Sequence, residues 1–421
     1  MPTLVKQLTK FLEQSPTPFH VVTQLKKRLE TAGFEALLEN DFWSLEEGKS
    51  YYVTRNDSSI IAFTYPEAKT RALGYKMVGA HTDSPALKIK PQPELKNAGV
   101  RQLGVEVYGG VLLNPWFDRD LSIAGRVVCE DHTGVIKDVL IDFKRAIALI
   151  PSLAIHLDRE ANQNRTINAQ NHLPVVIGLE HDKSFHQLLL EELNDDSLAE
   201  VLSFDLLLYD TQAPCVVGLD EKLFTSARLD NLLSCYCGVE SLTSYDAQNA
   251  SLLICNDHEE VGSQSSHGAQ SNFLELVLKR IAKTDEEFAV MMHNSFLISA
   301  DNAHALHPNY QDIHEKNHAP LLGKGVVIKY NADQSYATDS QSAALFKSIA
   351  KKAKIDLQNY VVRSDERCGS TIGPLTATKL GVKTIDIGIP TWAMHSIRES
   401  AALSDIQEMI DLLKGFYSTK R

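Results

Sequence analysis

The chain has 421 residues, of which 43% are hydrophobic and 23% are charged, and its formal net charge is −12. These values are typical of a globular protein large enough for two domains. They argue against a nucleic-acid partner, because phosphate contacts require clustered Lys and Arg and the sequence has no basic block. A membrane span is not expected either, since no stretch approaches the roughly 18 apolar residues that one requires.

Residues 1–18 lack the unbroken apolar core of a signal peptide. The six cysteines include no Cys-x-x-Cys pair, and Cys235 and Cys237 lie in an apolar, helix-like segment. Cysteines in this pattern are typically reduced thiols of the protein core. We therefore expect a cytoplasmic protein.

The first part of the chain combines helical and extended patterns. Residues 4–32 have apolar residues at helical spacing, interrupted by two prolines within residues 15–18. Extended segments are predicted at residues 50–54, 59–63 and 76–80.

The middle of the chain has a different pattern. Residues 88–225 contain alternating strand-like runs and few helical ones, with a stretch rich in Asn and Gln at residues 162–171. We interpret this region as an inserted, β-rich second domain.

After residue 225, strand-like and helical segments alternate again. Helices are predicted at residues 231–242, 273–281, 340–353 and 371–380. Strands are predicted at residues 251–255, 288–298, 360–362 and 383–389. This alternation favours an α/β fold with a mostly parallel sheet, built from residues 1–87 and 226–421 and interrupted by residues 88–225.

Metal-binding residue types follow four of the predicted strands. They are His81, the pair Glu259 and Glu260, Asp301, and His395. In open α/β sheets, sites form at the carboxyl ends of the strands, so these side chains are expected to converge.

The adjacent Glu259 and Glu260 are suited to two different tasks. An acidic pair most often lies on a solvated surface. Neighbouring residues of a strand or tight turn point in different directions, however. Glu260 can therefore bind a metal while Glu259 accepts a proton from an activated water. Asp83, two residues after His81, can orient that imidazole through its second nitrogen.

Asp230 opens a predicted helix and has two possible roles. It can cap the helix, which contributes about 1 kcal/mol, or it can bridge two metal ions. With Asp230 as the bridge, Glu260 and His395 complete the ligands of one ion. His81 and Asp301 complete those of the other, a donor set that zinc accepts.

Two other histidine patterns compete with this interpretation. Residues 314–318 match the zinc-protease pattern H-E-x-x-H, which requires a helix. The surrounding prolines and glycines favour a loop instead. His156 lies in an apolar setting, which is typical of a structural histidine.

Several blocks of the sequence resemble the aspartyl aminopeptidase family, in the family's order and over nearly the whole chain. They are A-H-T-D-S-P at 80–85, R-L-D-N at 228–231, D-H-E-E-V-G-S at 257–263, S-A-D-N-A-H at 299–304 and A-M-H-S-I-R-E at 393–399. H-P-N-Y at 307–310 and C-G-S-T-I-G-P at 368–374 add to the match.

The resemblance implies a zinc aminopeptidase that cleaves peptides, with a catalytic metallopeptidase domain at residues 1–87 and 226–421. Residues 88–225 would be a dimerisation domain of a homo-oligomer, typically a tetrahedral dodecamer. By position, the ligands of two Zn2+ ions per subunit would be His81, Asp230, Glu260, Asp301 and His395. Glu259 would be the general base. Mn2+ or Co2+ fits the same ligands.

The resemblance also assigns two roles outside this set. His156 would reach an active site, in its own or a neighbouring subunit, and stabilise the tetrahedral intermediate or be counted as a metal ligand. Lys324 would pair with an acidic first residue of the substrate, which predicts a preference for Asp or Glu. The alternatives are a preference for neutral residues such as Leu, the same centre acting as a deacylase or carboxypeptidase, and a non-catalytic assembly protein.

Overall fold

The computed structural model of the protein describes residues 2–179, 183–244 and 249–419. The chain divides into two units. The first comprises Met1–Asp83, Pro214–Met394 and Glu399–Arg421, and the second comprises Ser84–Ala213 and His395–Arg398. The borders expected from the sequence, after residues 87 and 225, stay predictions. The sequence did not indicate that residues 395–398 group with the second unit.

The helices of the described residues follow in chain order. They are α1 Pro2–Glu13, α2 Pro18–Thr31, α3 Ala68–Arg71, α4 Ala161–Asn164, α5 Ala169–His172, α6 Phe185–Leu193, α7 Leu229–Thr243, α8 Phe273–Ala282, α9 Asp285–Asn294, α10 Ser340–Ala353, α11 Ile372–Leu380 and α12 Leu403–Ser418. Short 3-10 turns occur at Asn114–Trp116, Glu259–Val261 and Gln311–Ile313. Among the described helices, none is long and apolar enough to cross a membrane.

The strands are likewise numbered along the chain. They are β1 Glu35–Leu37, β2 Lys49–Arg55, β3 Ser59–Tyr65, β4 Lys76–His81, β5 Ala86–Asn97, β6 Val100–Tyr108, β7 Leu121–Asp131, β8 Ile136–Asp142, β9 Val175–Leu179, β10 Leu198–Asp210, β11 Cys215–Val217, β12 Leu223–Ser226, β13 Ser251–Asn256, β14 Phe296–Ala300, β15 Ala303–His304, β16 Val326–Tyr330, β17 Leu357–Val361, β18 Lys383–Gly388, β19 Pro390–Trp392 and β20 Glu399–Ala402.

The central strands of the first unit form the parallel part of a nine-stranded sheet, in the order β1-β2-β3-β13-β4-β14-β18-β16-β17. Strands β13, β4, β14 and β18 are mutually parallel neighbours. All residues of β4, β13 and β14 are buried. Near-continuous apolar strands are expected where helices cover both faces of a sheet.

The two faces of the sheet bury different helices. On β4, Val78 belongs to a core with α1, α2, α7 and α12, whereas Met77 belongs to a core with α8 and α9. Adjacent strand residues point to opposite faces, so one strand supplies both cores. The α/β fold predicted from the alternating pattern is confirmed.

The nine-stranded sheet is mixed at its margins. Strand β3 is antiparallel to both β2 and β13, and β16 is antiparallel to β18. A smaller sheet of the same unit has the order β11-β12-β20-β19-β15. It places β20 between β12 and β19 through antiparallel pairs.

The second unit is built on a six-stranded sheet with the order β8-β7-β10-β5-β6-β9. All its described strand pairs are antiparallel. Along β7, buried and half-buried residues alternate from Val127 to Asp131, as expected for a sheet with one solvated face. Helix α6 begins with a capping box between Ser184 and Gln187.

The prediction of one strand over residues 288–298 was wrong. Residues up to Asn294 belong to helix α9, and only Phe296–Ala300 form a strand. The helix begins after Thr284, whose hydroxyl accepts a hydrogen bond from the Glu287 amide at 3.1 Å. A threonine followed three residues later by glutamate is a helix-start signal that outweighs the apolar run.

Gly388 at the end of β18 allows the chain to pass close to Asp301. A Cβ atom at residue 388 would lie 2.1 Å from the Asp301 carbonyl oxygen. We expect Gly388→Ala to lower stability by about 1–3 kcal/mol, because backbone atoms cannot move aside. Thermal unfolding would measure the change. Gly369→Ala is the matched control, since a Cβ there meets no atom within 4 Å; equal melting temperatures for the two variants would contradict the prediction.

Candidate metal centre

Three neighbouring strands bring the candidate residues to one edge of the parallel sheet. His81 is the last residue of β4 and pairs in register with Asn256 at the end of β13. The Glu259–Val261 turn follows β13, and Asp301 follows β14 directly. Since β4 lies between β13 and β14, these side chains meet at the carboxyl ends of the strands.

The imidazole of His81 lies among the carboxylates. Its Nε2 atom is 3.5 Å from Asp230 Oδ1, 3.6 Å from Asp301 Oδ1 and 3.9 Å from Glu259 Oε2. Donor atoms of His81, Asp230 and Glu260 lie within 4.8 Å of one another. One histidine and several carboxylates at this spacing suit zinc, which takes nitrogen and oxygen ligands at about 2.0–2.2 Å.

Asp83 connects the imidazole to the glutamate pair. Its Oδ1 accepts the Glu259 amide and its Oδ2 accepts the Glu260 amide, both at 3.1 Å. Its Oδ1 also lies 3.3 Å from His81 Nδ1, and its carbonyl oxygen lies 3.1 Å from the same nitrogen. A proton on Nδ1 satisfies these oxygens and leaves Nε2 as the ring atom that could bind a metal ion.

Asp230 does not cap helix α7. The cap position belongs to Arg228 at φ 60°, and Asp230 has the non-helical φ/ψ of −81° and 109°. The Asp230 backbone amide donates to Glu399 Oε2 at 2.9 Å. The side-chain amide of Asn231 donates to the Ala300 carbonyl oxygen at 2.9 Å. These two contacts orient the Asp230 side chain toward His81, and the peptide bond between residues 230 and 231 is cis.

Lys329 and Glu399 belong to this region and were missed in the sequence. Lys329 is buried on β16, with Nζ 3.3 Å from Asp301 Oδ2 and 3.1 Å from the Asn302 carbonyl oxygen. A lysine inside the apolar run of residues 326–330 was the available signal, because an unpaired charge is rarely buried. Glu399 had no comparable signal, since its contact is with a backbone amide.

The electrostatics of the cluster favour bound cations. Burial raises the pKa of Glu259 to about 8, opposed by His81 and reinforced by Asp301. Burial and the Asp230 charge raise the pKa of Glu260 well above its usual value. Burial lowers the pKa of His81, but Glu259 and its neighbouring carboxylates raise it overall. Carboxylates that resist ionisation together become favourable ligands once divalent cations neutralise them.

Three predicted residues are not part of the cluster formed within the first unit. His395 and His156 belong to the second unit. There His395, at φ 67°, has its Nδ1 3.1 Å from the Gly110 carbonyl oxygen, and His156 is exposed in a turn. Lys324 is exposed in the loop before β16 of the first unit. Their functional roles stay predictions.

The H-E-x-x-H pattern does not form a zinc-protease helix. The Gln311–Ile313 turn ends at His314, whose ψ of 152° is extended. His318 Nδ1 contacts Glu315 Oε2 at 2.5 Å, and His314 Nε2 accepts the His307 amide at 3.2 Å. The two histidines are therefore not one helical turn apart on a common face.

A buried imidazole–carboxylate cluster at the strand ends of an α/β sheet is typical of zinc-dependent hydrolases. The family model described as aminopeptidase I zinc metalloprotease (M18) matches residues 11–417. The chain belongs to this M18 peptidase family and is a zinc aminopeptidase. This result confirms the family resemblance drawn from the sequence blocks.

Individual relatives are similar to this protein over nearly the whole chain. A probable M18 family aminopeptidase 2 of Ectopseudomonas mendocina is 51% identical over 422 residues, covering 99% of this chain and 98% of the relative. The Ape4 structure in complex with Nbr1 is 37% identical, with a TM-score of 0.94 over 99% of this chain and 85% of that one. The dodecamer of S. cerevisiae mApe1 is 26% identical, with a TM-score of 0.85 over 98% and 96% of the two chains.

Replacing Asp83 tests its orienting role. In Asp83→Asn, the amide nitrogen would face a backbone N–H in place of an acceptor oxygen. We expect zinc affinity to fall by about 10- to 100-fold, as for other residues that orient ligands. Competition with a chromophoric chelator measures this affinity. Asp285→Asn, at an exposed helix start, is the control; a wild-type affinity in Asp83→Asn would remove Asp83 from this role.

Proposed function

We propose that this aminopeptidase removes N-terminal residues from peptides at a centre of two zinc ions, with Glu259 as the general base. The observation that carries the proposal is the grouping of four carboxylates around the buried His81 imidazole. The proposed ligands are His81, Asp230, Glu260, Asp301 and His395. Asp230 would be shared by the two ions, supported by its 3.5 Å separation from His81 Nε2. Mn2+ or Co2+ would fit the same donors.

The two glutamates are assigned different tasks. Bound zinc supplies Lewis acidity for the scissile carbonyl and lowers the pKa of a water. Glu259 accepts the proton of the attacking water through a carboxylate oxygen and returns it to the leaving amine. Glu260 serves as a ligand. Asp83 accepts hydrogen bonds from the backbone amides of both glutamates, which fixes the turn that carries the two side chains.

Lys324 is the proposed recognition residue for an acidic first side chain of the substrate. Its loop is fixed by Asp405, which accepts the Gly323 amide at 2.7 Å and the Gly325 amide at 3.0 Å. Burial raises the pKa of Asp405 to about 6, and the hydrogen bonds from the Gly323 and Gly325 amides oppose this shift. Both neighbours of Lys324 are thus anchored while its ammonium group stays in solvent, available to a carboxylate. The alternative is a preference for neutral residues such as Leu.

The assembly and His156 complete the proposal. We propose a cytoplasmic homo-oligomer of the dodecameric kind, with residues 88–225 as the dimerisation domain. The mApe1 dodecamer, similar over nearly the whole chain, supports this assembly. His156 is exposed on its unit and is therefore accessible to a neighbouring subunit, where it would stabilise the tetrahedral intermediate.

Separate substitutions distinguish the base from the ligand. We expect Glu259→Gln to keep its zinc content and to lower kcat by about 10²–10⁴-fold, because proton transfer is lost while the ligands remain. Glu260→Gln should instead lose zinc. Metal analysis and hydrolysis of one peptide with a free amine measure both effects. Zinc loss in Glu259→Gln, with retention in Glu260→Gln, would reverse the assignment.

Peptides that differ only in their first residue test Lys324. We expect Lys324→Ala to lower kcat/KM about tenfold for an N-terminal Asp, since a hydrogen bond between charged groups is lost. An N-terminal Leu peptide should change little. Lys316→Ala, in another exposed loop, is the control.

Asp405→Asn should raise KM for the Asp peptide more than it lowers kcat, because the loop loses one anchor. Equal losses on Asp and Leu peptides in Lys324→Ala would exclude the specificity role without contradicting the assignment of the protein as an aminopeptidase.

A further inference from the structure

A second group of metal-binding side chains lies in the loop that follows β13. Asp257 is buried, and His258 and His267 are partly buried beside it. The loop turns back on itself between them, since the Ser263 amide donates to the His258 carbonyl at 2.8 Å. Gly268 permits the return, because a Cβ there would lie 2.4 Å from the Ser263 carbonyl oxygen. The fold thus places His267 next to a histidine nine positions earlier.

The two imidazoles converge on one carboxylate oxygen. His258 Nε2 and His267 Nε2 each lie 3.7 Å from Asp257 Oδ2, and the ring centroids are 4.6 Å apart. A separation of 3.7 Å exceeds the usual hydrogen-bond range of about 2.7–3.2 Å. It approaches the spacing of about 3.4 Å between ligand atoms at the corners of a tetrahedron with zinc bonds of 2.0–2.1 Å.

Hydrogen bonds at the far side of each ring favour the ligand orientation. His258 Nδ1 contacts Ser265 Oγ at 2.9 Å, and His267 Nδ1 contacts Ser266 Oγ at 3.1 Å. A hydroxyl that accepts from Nδ1 directs the lone pair of Nε2 toward Asp257, as in metal sites whose ligands are held by outer hydrogen bonds. The Asn56 side-chain amide, 3.4 Å from His267 Nε2, is a weaker competing contact.

The carboxylate itself is also held in place. Asp257 Oδ1 accepts the His258 amide at 2.8 Å, which directs Oδ2 at the two rings. The Asp257 amide donates to Ser59 Oγ, and this hydroxyl donates to the His267 carbonyl. Hydrogen bonds to Ser59 on β3 therefore hold both ends of the loop, at Asp257 and His267, without a bound ion.

We propose that Asp257, His258 and His267 bind a further divalent transition-metal ion, of which Zn2+ is the first candidate. Three protein ligands leave one tetrahedral position for water, and the His258 side chain, 30% exposed, gives solvent access to it. This ion is additional to those of the proposed catalytic centre. The ion fixes the loop that begins at Asp257, two residues before Glu259.

The test compares the zinc content of full-length enzymes after dialysis against metal-free buffer. We expect His267→Asn to contain one Zn2+ per subunit fewer than wild type. The control, His293→Asn at the exposed end of α9, should match wild type. The difference between variants does not depend on how many ions the catalytic centre holds.

A second variant and a titration keep the test decisive. If His267→Asn fails to fold, His258→Asn gives the same comparison. Wild-type enzyme stripped by a chelator and titrated with Zn2+ against a chromophoric competitor should show one additional equivalent beyond His258→Asn. Equal zinc content and equal titration end points in wild type and the folded variants would overturn the proposal and leave a cluster of hydrogen-bonded side chains.

Discussion

The carboxylate of Asp83 is the contact on which the geometry of the metal centre depends. Each of its oxygens accepts one amide of the Glu259–Glu260 pair, and one also lies beside His81 Nδ1. The group is fully buried, and hydrogen bonds to an ionised acceptor are stronger than those between neutral groups. Residues almost 180 positions apart are therefore fixed relative to each other by one side chain.

The parallel arrangement of β13, β4 and β14 explains why acidic residues accumulate at one edge. Folding brings Asp230, Glu259, Glu260 and Asp301 close to a single imidazole, and burial raises the pKa of both glutamates. Like charges in a buried site destabilise a fold unless cations compensate. In the proposed centre, zinc would supply this compensation, so the electrostatic cost of grouping the carboxylates would favour metal uptake.

Much of this cluster was predictable from the sequence, because side chains that follow neighbouring parallel strands lie close together at the carboxyl ends of the strands. His81 and Asp301 follow buried strands, and that alone predicted their convergence. The apolar run around Lys329 indicated a buried lysine, but only the tertiary structure shows that its partner is Asp301. Asp230 was ambiguous for a related reason: the sequence did not show that the backbone at residue 230 is non-helical, which excludes the cap role. The 395–398 segment depends on contacts between residues distant in sequence, which local patterns do not encode.

In the loop around Lys324, the backbone contributes to the stability of the fold, whereas the Lys324 side chain is exposed and available to a substrate. Asp405 binds the amides of Gly323 and Gly325, both at positive φ, and a side chain at position 325 would collide with the Asp356 carbonyl. The backbone there is therefore constrained by stability. The side chain at position 324 takes no part in those hydrogen bonds and is exposed, so it can be exchanged without disturbing the loop. A single substitution at position 324 therefore changes the chemical group offered to the solvent, whereas a side chain at position 325 would cost stability.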